Sequence, residues 1–433
     1  YDIPIYELFS GNIFGIDNSL DRLVQFLHAS AQGLEVRKRI FLLLGPPASG
    51  KSSIVEVLKK GLEQYSRTDE GAMYTIDGCP LQEEPLHLVP APWREELAQN
   101  HALYIEGDLC PRCLHTLNFK YNGDISKVKI KRVTYSQTQG LGIGSFVATD
   151  RQGQDLSRLV GTVDPSLLGQ DRLDGAGLAF RLDGELEAAN RGIMEFIEIF
   201  KSDDRFLTVL LGVTQEQVIK LGGFGSVYAD EAIIAHSNEE EYNTFISNKQ
   251  TEALRDRMIV VKVPYNLRVS EEIKIYQKLV AESKPGGPHL APLTLRVVAQ
   301  LAILSRLEFG QPVSGLPKLS PIEKMKLYDS MVQPPYTKSD LERIHQSSTQ
   351  EGMIGLSPRY VINRVADAMT RHTTCLTPLI AINSLLEGTQ DRAGDGTEGE
   401  YVLSELIKEE LREYKDLAVR EVQRASVEHF NEE

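Results

Sequence analysis

Cysteine is scarce, with four residues in a chain of 433, so no disulfide framework can carry the fold and a reducing, cytoplasmic compartment is expected. Positive charge is in deficit as well. Lysine and arginine number 47 against 61 aspartates and glutamates, a formal net charge of −14. That is the wrong sign for general binding to nucleic acid or to an anionic membrane, and neither is expected as a partner. No stretch approaches the ~18 uninterrupted apolar residues of a spanning helix. The N-terminus lacks the basic, apolar and small-residue layout of a secretion signal. A soluble chain is the expectation. Tyr1 stands where a start methionine would, which leads us to expect native sequence upstream. At ~100 to 200 residues per domain the length allows two or three domains with a large buried core. No internal repeat is visible.

What is present is a change of periodicity along the chain. The run from Val36 to Leu44 ends in five apolar residues before a glycine loop, the pattern of a buried parallel strand. Ser52 to Leu62 then places Ile54, Val55, Leu58 and Leu62 on one helical face. Further strands are expected at Gly192 to Glu198, Thr208 to Gly212, Ala232 to His236 and Met258 to Val263, and their alternation with helices predicts a parallel α/β sheet. Between them, prolines and the cluster Gly140, Gly142 and Gly144 make residues 72–180 look like an insertion. The glycines before Phe146 fit a mobile pore-facing loop with an aromatic grip or a plain hairpin, and the hairpin is preferred. After Pro264 the period becomes helical, at Glu271 to Ala281, Leu293 to Leu307 and Tyr360 to Met369. Breaks separate these at 284–288, 310–321 and 333–336, and 388–399 is the most linker-like stretch. Tyr401 to Phe430 reads as a helix packed on its neighbour.

The strongest chemical signal is Gly45-Pro46-Pro47-Ala48-Ser49-Gly50-Lys51-Ser52, a G-x-x-x-x-G-K-[ST] motif set between the first strand and the first helix of that unit. Its glycines let backbone N–H groups turn inward around phosphates, the helix N-terminus adds partial positive charge, Lys51 reaches the β and γ phosphates, and the Ser52 hydroxyl ligates magnesium. Ser53 closes the turn. ATP and Mg2+ are the expected cofactors, with ATP lying between 45–53 and a helical lid. Phe14-Gly15-Ile16 stands where the base would be lined.

Four further pieces accompany the loop. Gly184 to Glu198 resembles the approach to the Walker B strand of AAA+ ATPases of the enhancer-binding, Lon and minichromosome-maintenance types. Glu198 falls on the glutamate that polarises water, while Ile197 stands where a magnesium-coordinating aspartate is expected. Either Glu195 or Glu198 supplies that carboxylate in a shifted register, or Asp183 reaches the metal, or hydrolysis is slow. Leu210 to Glu216 and then Gly222 to Asn238 resemble the hairpin and sensor 1 strand, with Asn238 placed to hold the lytic water or a γ-phosphate oxygen. Ala253-Leu-Arg-Asp-Arg257 resembles the segment carrying an arginine finger, Arg257 first and Arg255 in reserve, which predicts a homo-oligomer, a hexameric ring among the forms allowed. Gly355-Leu-Ser-Pro-Arg359 resembles sensor 2 of the lid.

The longest matches resemble the bacterial PrkA serine protein kinases: Glu35 to Ile40, the phosphate loop, Gly78 to Pro90, Gly184 to Glu198, Ala235 to Glu239, Phe245 to Lys249, Val263 to Arg268 and Ser357 to Tyr360. The resemblance covers nearly the whole chain. It implies an AAA+ core, ATP and magnesium, and protein serine kinase activity assigned to a C-terminal region of which this chain holds at most the start. The expected division is 1–265 for the AAA+ α/β nucleotide domain with its insertion, 266–387 for the α-helical lid, and 388–433 for a linker and C-terminal helix. The expected function is Mg-ATP turnover coupled to phosphorylation or remodelling of a protein substrate that the sequence leaves unnamed. The alternatives are a nucleotide-gated switch with little hydrolysis and a Lon-like module of an ATP-dependent protease.

The eukaryotic kinase set is missing, with no H-R-D-x-x-x-x-N loop, no D-F-G and no V-A-I-K strand. Gly222 to Val227 imitates a kinase glycine loop without a suitably placed lysine strand after it. No segment reads as a serine-lysine protease dyad. Cys110-Pro-Arg-Cys113 is a single C-x-x-C, with Cys79, His87 and His115 as further candidate ligands. Because no second pair exists at finger spacing, free thiols are preferred to zinc.

Overall fold

The structure, a computed structural model, describes residues 6–148, 155–163, 180–220, 225–282, 288–308, 319–330, 336–348, 350–371, 374–390 and 398–430. The breaks expected at 284–288, 310–321 and 333–336 and the linker at 388–399 lie largely outside these residues, as does the first half of the glycine segment Gly222 to Val227. The chain divides into two units. One comprises 1–9, 18–44 and 51–262, the other 10–17, 45–50 and 263–433.

The first unit is built on a five-stranded parallel sheet. Its strands are β1 (Ile40–Leu44), β2 (Ile143–Val147), β3 (Ile193–Ile197), β4 (Ala232–Ser237) and β5 (Met258–Lys262), in the spatial order β5-β1-β4-β3-β2. All five residues of β1 are buried, as a central parallel strand covered on both faces requires. Helix α1 (Asp17–Ala31) packs Leu20, Leu23 and Phe26 inward, with the Phe26 ring 5.0 Å from that of Phe41. Helix α2 (Lys51–Tyr65) follows the phosphate-loop motif and buries Ile54, Val55 and Leu58.

Two expectations fail here. Thr208 to Gly212 is not a strand. It lies within helix α3 (Asp204–Glu216), whose N-cap Asp203 accepts a hydrogen bond from the Arg205 N–H and whose Phe206, Leu210 and Val213 are buried at helical spacing. The hairpin placed on Leu210 to Glu216 shifts accordingly to Val218–Lys220 and Ser226–Tyr228. The glycine stretch is only in part the expected hairpin and is no pore loop: Gly140 lies in the turn closed by the antiparallel bridge Ser136↔Leu141, whereas β2 is an edge strand of the main sheet, paired in parallel with β3 from Ile143↔Ile193 to Val147↔Ile197. Part of the stretch read as an insertion is therefore core. Its glycines serve close packing, since a Cβ on Gly144 would collide with the Glu185 carbonyl and one on Gly192 with the Gly142 carbonyl.

Among the described residues from 269 onward the second unit's regular structure is helical, apart from a two-residue parallel pairing of His289–Leu290 with Cys375–Leu376. It runs through α4 (Val269–Glu282), α5 (Thr294–Leu304), α6 (Pro321–Ser330), α7 (Lys338–Ser347), α8 (Pro358–Arg371), α9 (Pro378–Gln390) and α10 (Glu398–Phe430). Helix α5 is apolar nearly all round and central, with every residue from Val297 to Leu304 buried. Leu406 and Ile407 of α10 join the same core, as a packed helix should. Among the described residues no helix is long and apolar enough to cross a membrane.

Candidate nucleotide site

Three strands end together at one edge of the first sheet. Leu44 pairs with Ser237 and His236 with Ile197, so the chain leaves β1, β4 and β3 side by side toward the phosphate-loop motif, Asn238 and Glu198 respectively. In open parallel sheets the carboxyl edge is where ligands bind, because the connecting loops there face outward from a rigid platform.

The loop itself bends in a way few residues tolerate. Ala48 has φ +62° and Gly50 φ +97°, left-handed positions on either side of Ser49, whose N–H donates to the Pro46 carbonyl at 3.3 Å. The Ser49 Oγ is buried without a hydrogen-bond partner. Within the second unit the loop is clamped. The Tyr265 hydroxyl donates to the Pro47 carbonyl at 2.8 Å, and Gly45 lies so close to Val263 that any Cβ would strike its carbonyl. Gly15 is equally confined against the Asn266 side chain. Ile16 is buried.

Lys51 opens α2 and is buried. Burial pushes its ammonium down to about 8, against the pull of Glu198. Ser52 and Ser53 are exposed at the same helix start. Glu198 follows β3 in a left-handed conformation, φ +57° and ψ +49°. Its carboxyl is raised by burial and by the neighbouring Glu241, while Lys201 bridges the two at 3.4 Å and 3.2 Å. Glu241 in turn accepts from the Ser237 hydroxyl at 2.7 Å. This second carboxylate went unnoticed in the sequence, where Glu239-Glu240-Glu241 reads only as the acidic start of a helix.

Of the carboxylates considered for the metal, Glu195 is spent inside the sheet. Burial pushes its carboxyl up, but hydrogen bonds from His236 and Lys59 outweigh that and hold it below the usual range. Asp183 is exposed. Asn238 caps the helix Glu239–Ser247, its Oδ1 accepting from the Glu241 N–H at 2.8 Å. Arg257 donates to the Ala253 carbonyl at 2.6 Å and to Gln215 Oε1 at 3.2 Å, while Arg255 is exposed. Arg359 is exposed in the first turn of α8.

The buried arginine of the second unit is a different one. Arg306 is fully buried, pairs with Glu272 at 2.7 Å, donates to the carbonyls of Leu356 and Asn266, and lies over the Tyr265 ring at 4.9 Å. One side chain thus ties α4, the end of α5 and the approach to α8 to the tyrosine that holds the phosphate loop. Nothing in its sequence surroundings singles it out, since a lone arginine after an apolar helix looks like a C-terminal charge.

Comparison with known proteins shows the family of the chain. Residues 1–314 match the PrkA AAA domain, and residues 322–433 match the PrkA serine protein kinase C-terminal domain. A Bacillus subtilis protein named ATP-dependent protease PrkA is 43% identical over 432 residues, covering 99% of this chain and 67% of that protein. An Escherichia coli K12 protein named serine/threonine kinase YeaG is 35% identical over 373 residues, covering 84% of this chain and 56% of its own length. Among solved structures, NtrX from Brucella abortus in complex with ADP aligns over 86% of this chain and 67% of that chain, at 16% identity and TM-score 0.33. An S. cerevisiae Hsp104-ADP complex aligns over 69% and 42% at 14% identity and TM-score 0.33.

Proposed function

The chain belongs to the PrkA family and carries its AAA domain, and from that premise we propose that it binds and hydrolyses Mg-ATP on residues 45–53 and couples turnover to phosphorylation or remodelling of a protein substrate. The supporting observation is the left-handed turn at Ala48 and Gly50 leading into a buried Lys51 at a helix N-terminus. Lys51 is already drawn toward Glu198, and a buried ammonium at a helix N-terminus also suits a bound polyphosphate. Gly15 and Ile16 line the base. Magnesium, held through the Ser52 hydroxyl, supplies charge neutralisation on the phosphates. Glu198 accepts the proton of the attacking water, its raised pKa bringing it closer to the working pH. Asn238, with its oxygen committed to the helix cap, keeps an amide donor for a phosphate oxygen. Arg359 reads the γ-phosphate, and Arg257 acts across a homo-oligomeric contact.

The relatives' names pull in two directions, kinase and protease. The label of γ-labelled ATP tests the kinase reading for this chain. Turnover with free phosphate as the sole labelled product supports remodelling, stable label on serine supports the kinase, and tight ATP binding with neither product contradicts both and leaves a nucleotide-gated switch, which Ile197 in the aspartate position favours.

Lys51 also gives the site a pH signature. Its free-state pKa lies near 8, and bound phosphate raises it by favouring the charged form. Binding then takes up a proton above pH 8, and ATP affinity should fall by up to about tenfold per pH unit from there toward 10.5. Calorimetric titrations at pH 7.5 and ~9.5 test this. A Lys51→Arg variant, which does not titrate in this range, should lose the slope.

A further inference from the structure

The excursion between the antiparallel strands Met73–Ile76 and Ile130–Val133 is anchored at its base, where Ile76, Cys79, Leu81, Cys110 and Cys113 join the core, and is exposed further out. Its helix Ala91–His101 buries no residue, and Trp93, Tyr104, Leu114 and Phe119 are exposed. Its outer part packs on little, so a clip at the base would order it further. At its base two loops cross. One brings Cys79 and Glu83, the other Cys110 and Cys113, and a ligand atom from each of the four lies within 4.8 Å of all the others. All four side chains are buried.

The arrangement has the dimensions of a tetrahedral metal site. At a Zn–S distance of ~2.3 Å, sulfurs at tetrahedral corners stand about 3.8 Å apart, and the Sγ atoms of Cys79 and Cys110 are 4.0 Å apart. Cys110 is the N-cap of the short helix Pro111–His115, and the Cys113 N–H donates to its sulfur at 3.3 Å. Glu83 is oriented from behind. Its Oε1 accepts from the Cys110 N–H at 2.7 Å and meets His87 Nδ1 at 3.2 Å, leaving Oε2 3.9 Å from the Cys79 sulfur. Ligating carboxylates are themselves held by outer hydrogen bonds, and His87 and the Cys110 N–H stand in that place here.

A disulfide explains less. Two of the three cysteines could pair, but the third thiol and the buried carboxylate would remain, and a carboxylate packed among sulfurs is costly without a cation. Of the other histidines near the C-x-x-C, His115 stacks on Phe119 at 4.4 Å. We infer that Cys79, Cys110, Cys113 and Glu83 bind a structural zinc ion, with His87 as the positioning residue behind Glu83. The sequence alone favoured free thiols, because Cys79 lies 31 positions from Cys110 and a carboxylate completes the set. With four protein ligands the coordination is closed, so the ion clips the two loops together and carries no reaction.

The test is metal analysis of the whole chain purified without added metal or chelator. About one zinc per chain is expected for a closed four-ligand site, retained in Cys375→Ser and lost in Cys79→Ser and Cys110→Ser. His87→Ala should bind zinc about 10- to 100-fold more weakly against a competing chelator. Should the cysteine variants fail to fold, the wild type alone decides. Cobalt exchange should give a thiolate charge-transfer band and a tetrahedral d–d spectrum. Metal-free folded protein in which the cluster thiols react freely, or a Cys79–Cys110 disulfide found by non-reducing mass analysis, would overturn the assignment.

Discussion

Glu198→Gln is expected to leave ATP binding intact and to lower turnover by about 10²- to 10⁴-fold, the range measured for loss of a positioned general base. The side chain stands at the end of β3 in a left-handed backbone that an amide of the same shape can also occupy. The substitution therefore removes basicity and little else. Neutralising one member of the Glu198, Lys201 and Glu241 group also relieves the repulsion between two nearby carboxylates. The variant should be no less stable than the wild type, and lost activity would not be lost folding. Steady-state phosphate release beside an ATP titration reads both quantities. If Glu198→Gln turns over normally while Glu241→Gln does not, the base is Glu241 and the role of Glu198 is wrong.

Arg306→Ala should produce the largest loss of stability, about 3–5 kcal/mol in the helical unit. The guanidinium is completely buried, so truncation leaves Glu272 charged or forces a proton onto it, and three carbonyl or carboxylate acceptors lose their donors. The pair itself is weak evidence of net stabilisation, because the desolvation of both charges opposes their attraction. Replacing both, Arg306→Met with Glu272→Leu, should accordingly recover most of the loss. Chemical denaturation of the single and double variants tests the contrast. Equal destabilisation in both would mean that the hydrogen bonds to Leu356 and Asn266, and not the uncompensated charge, carry the effect. The double variant also removes the cation over the Tyr265 ring, so an ATP affinity that falls in it separately from stability would tie Arg306 to the loop held by Tyr265.

Legibility in the sequence followed physical distance along the chain. The phosphate loop could be read because its chemistry lies in eight consecutive residues between a strand and a helix, and β1, β3, β4 and β5 could be read because buried parallel strands are apolar runs. Thr208 to Gly212 misled because Leu-Leu-Gly looks like a strand end, whereas the period is set by Phe206, Leu210 and Val213. β2 was hidden by its glycines, which resemble a turn but permit close approach to Glu185 and Gly192. Glu241, Arg306 and Glu83 of the cysteine cluster share one difficulty. Each acts through a partner brought near by tertiary packing, and spacing along one chain carries no trace of it.

The central claim is that residues 45–53 hold the triphosphate with Lys51 as the buried cation. Isothermal titration of Mg-ATP into the wild type and into Lys51→Ala tests it most directly. Lysine is removed without touching the backbone N–H groups, so the account predicts saturable binding in the wild type and a loss of about 30- to 150-fold in the variant, the scale of a charge-assisted contact of ~2–3 kcal/mol. Equal affinity in the two proteins would contradict it.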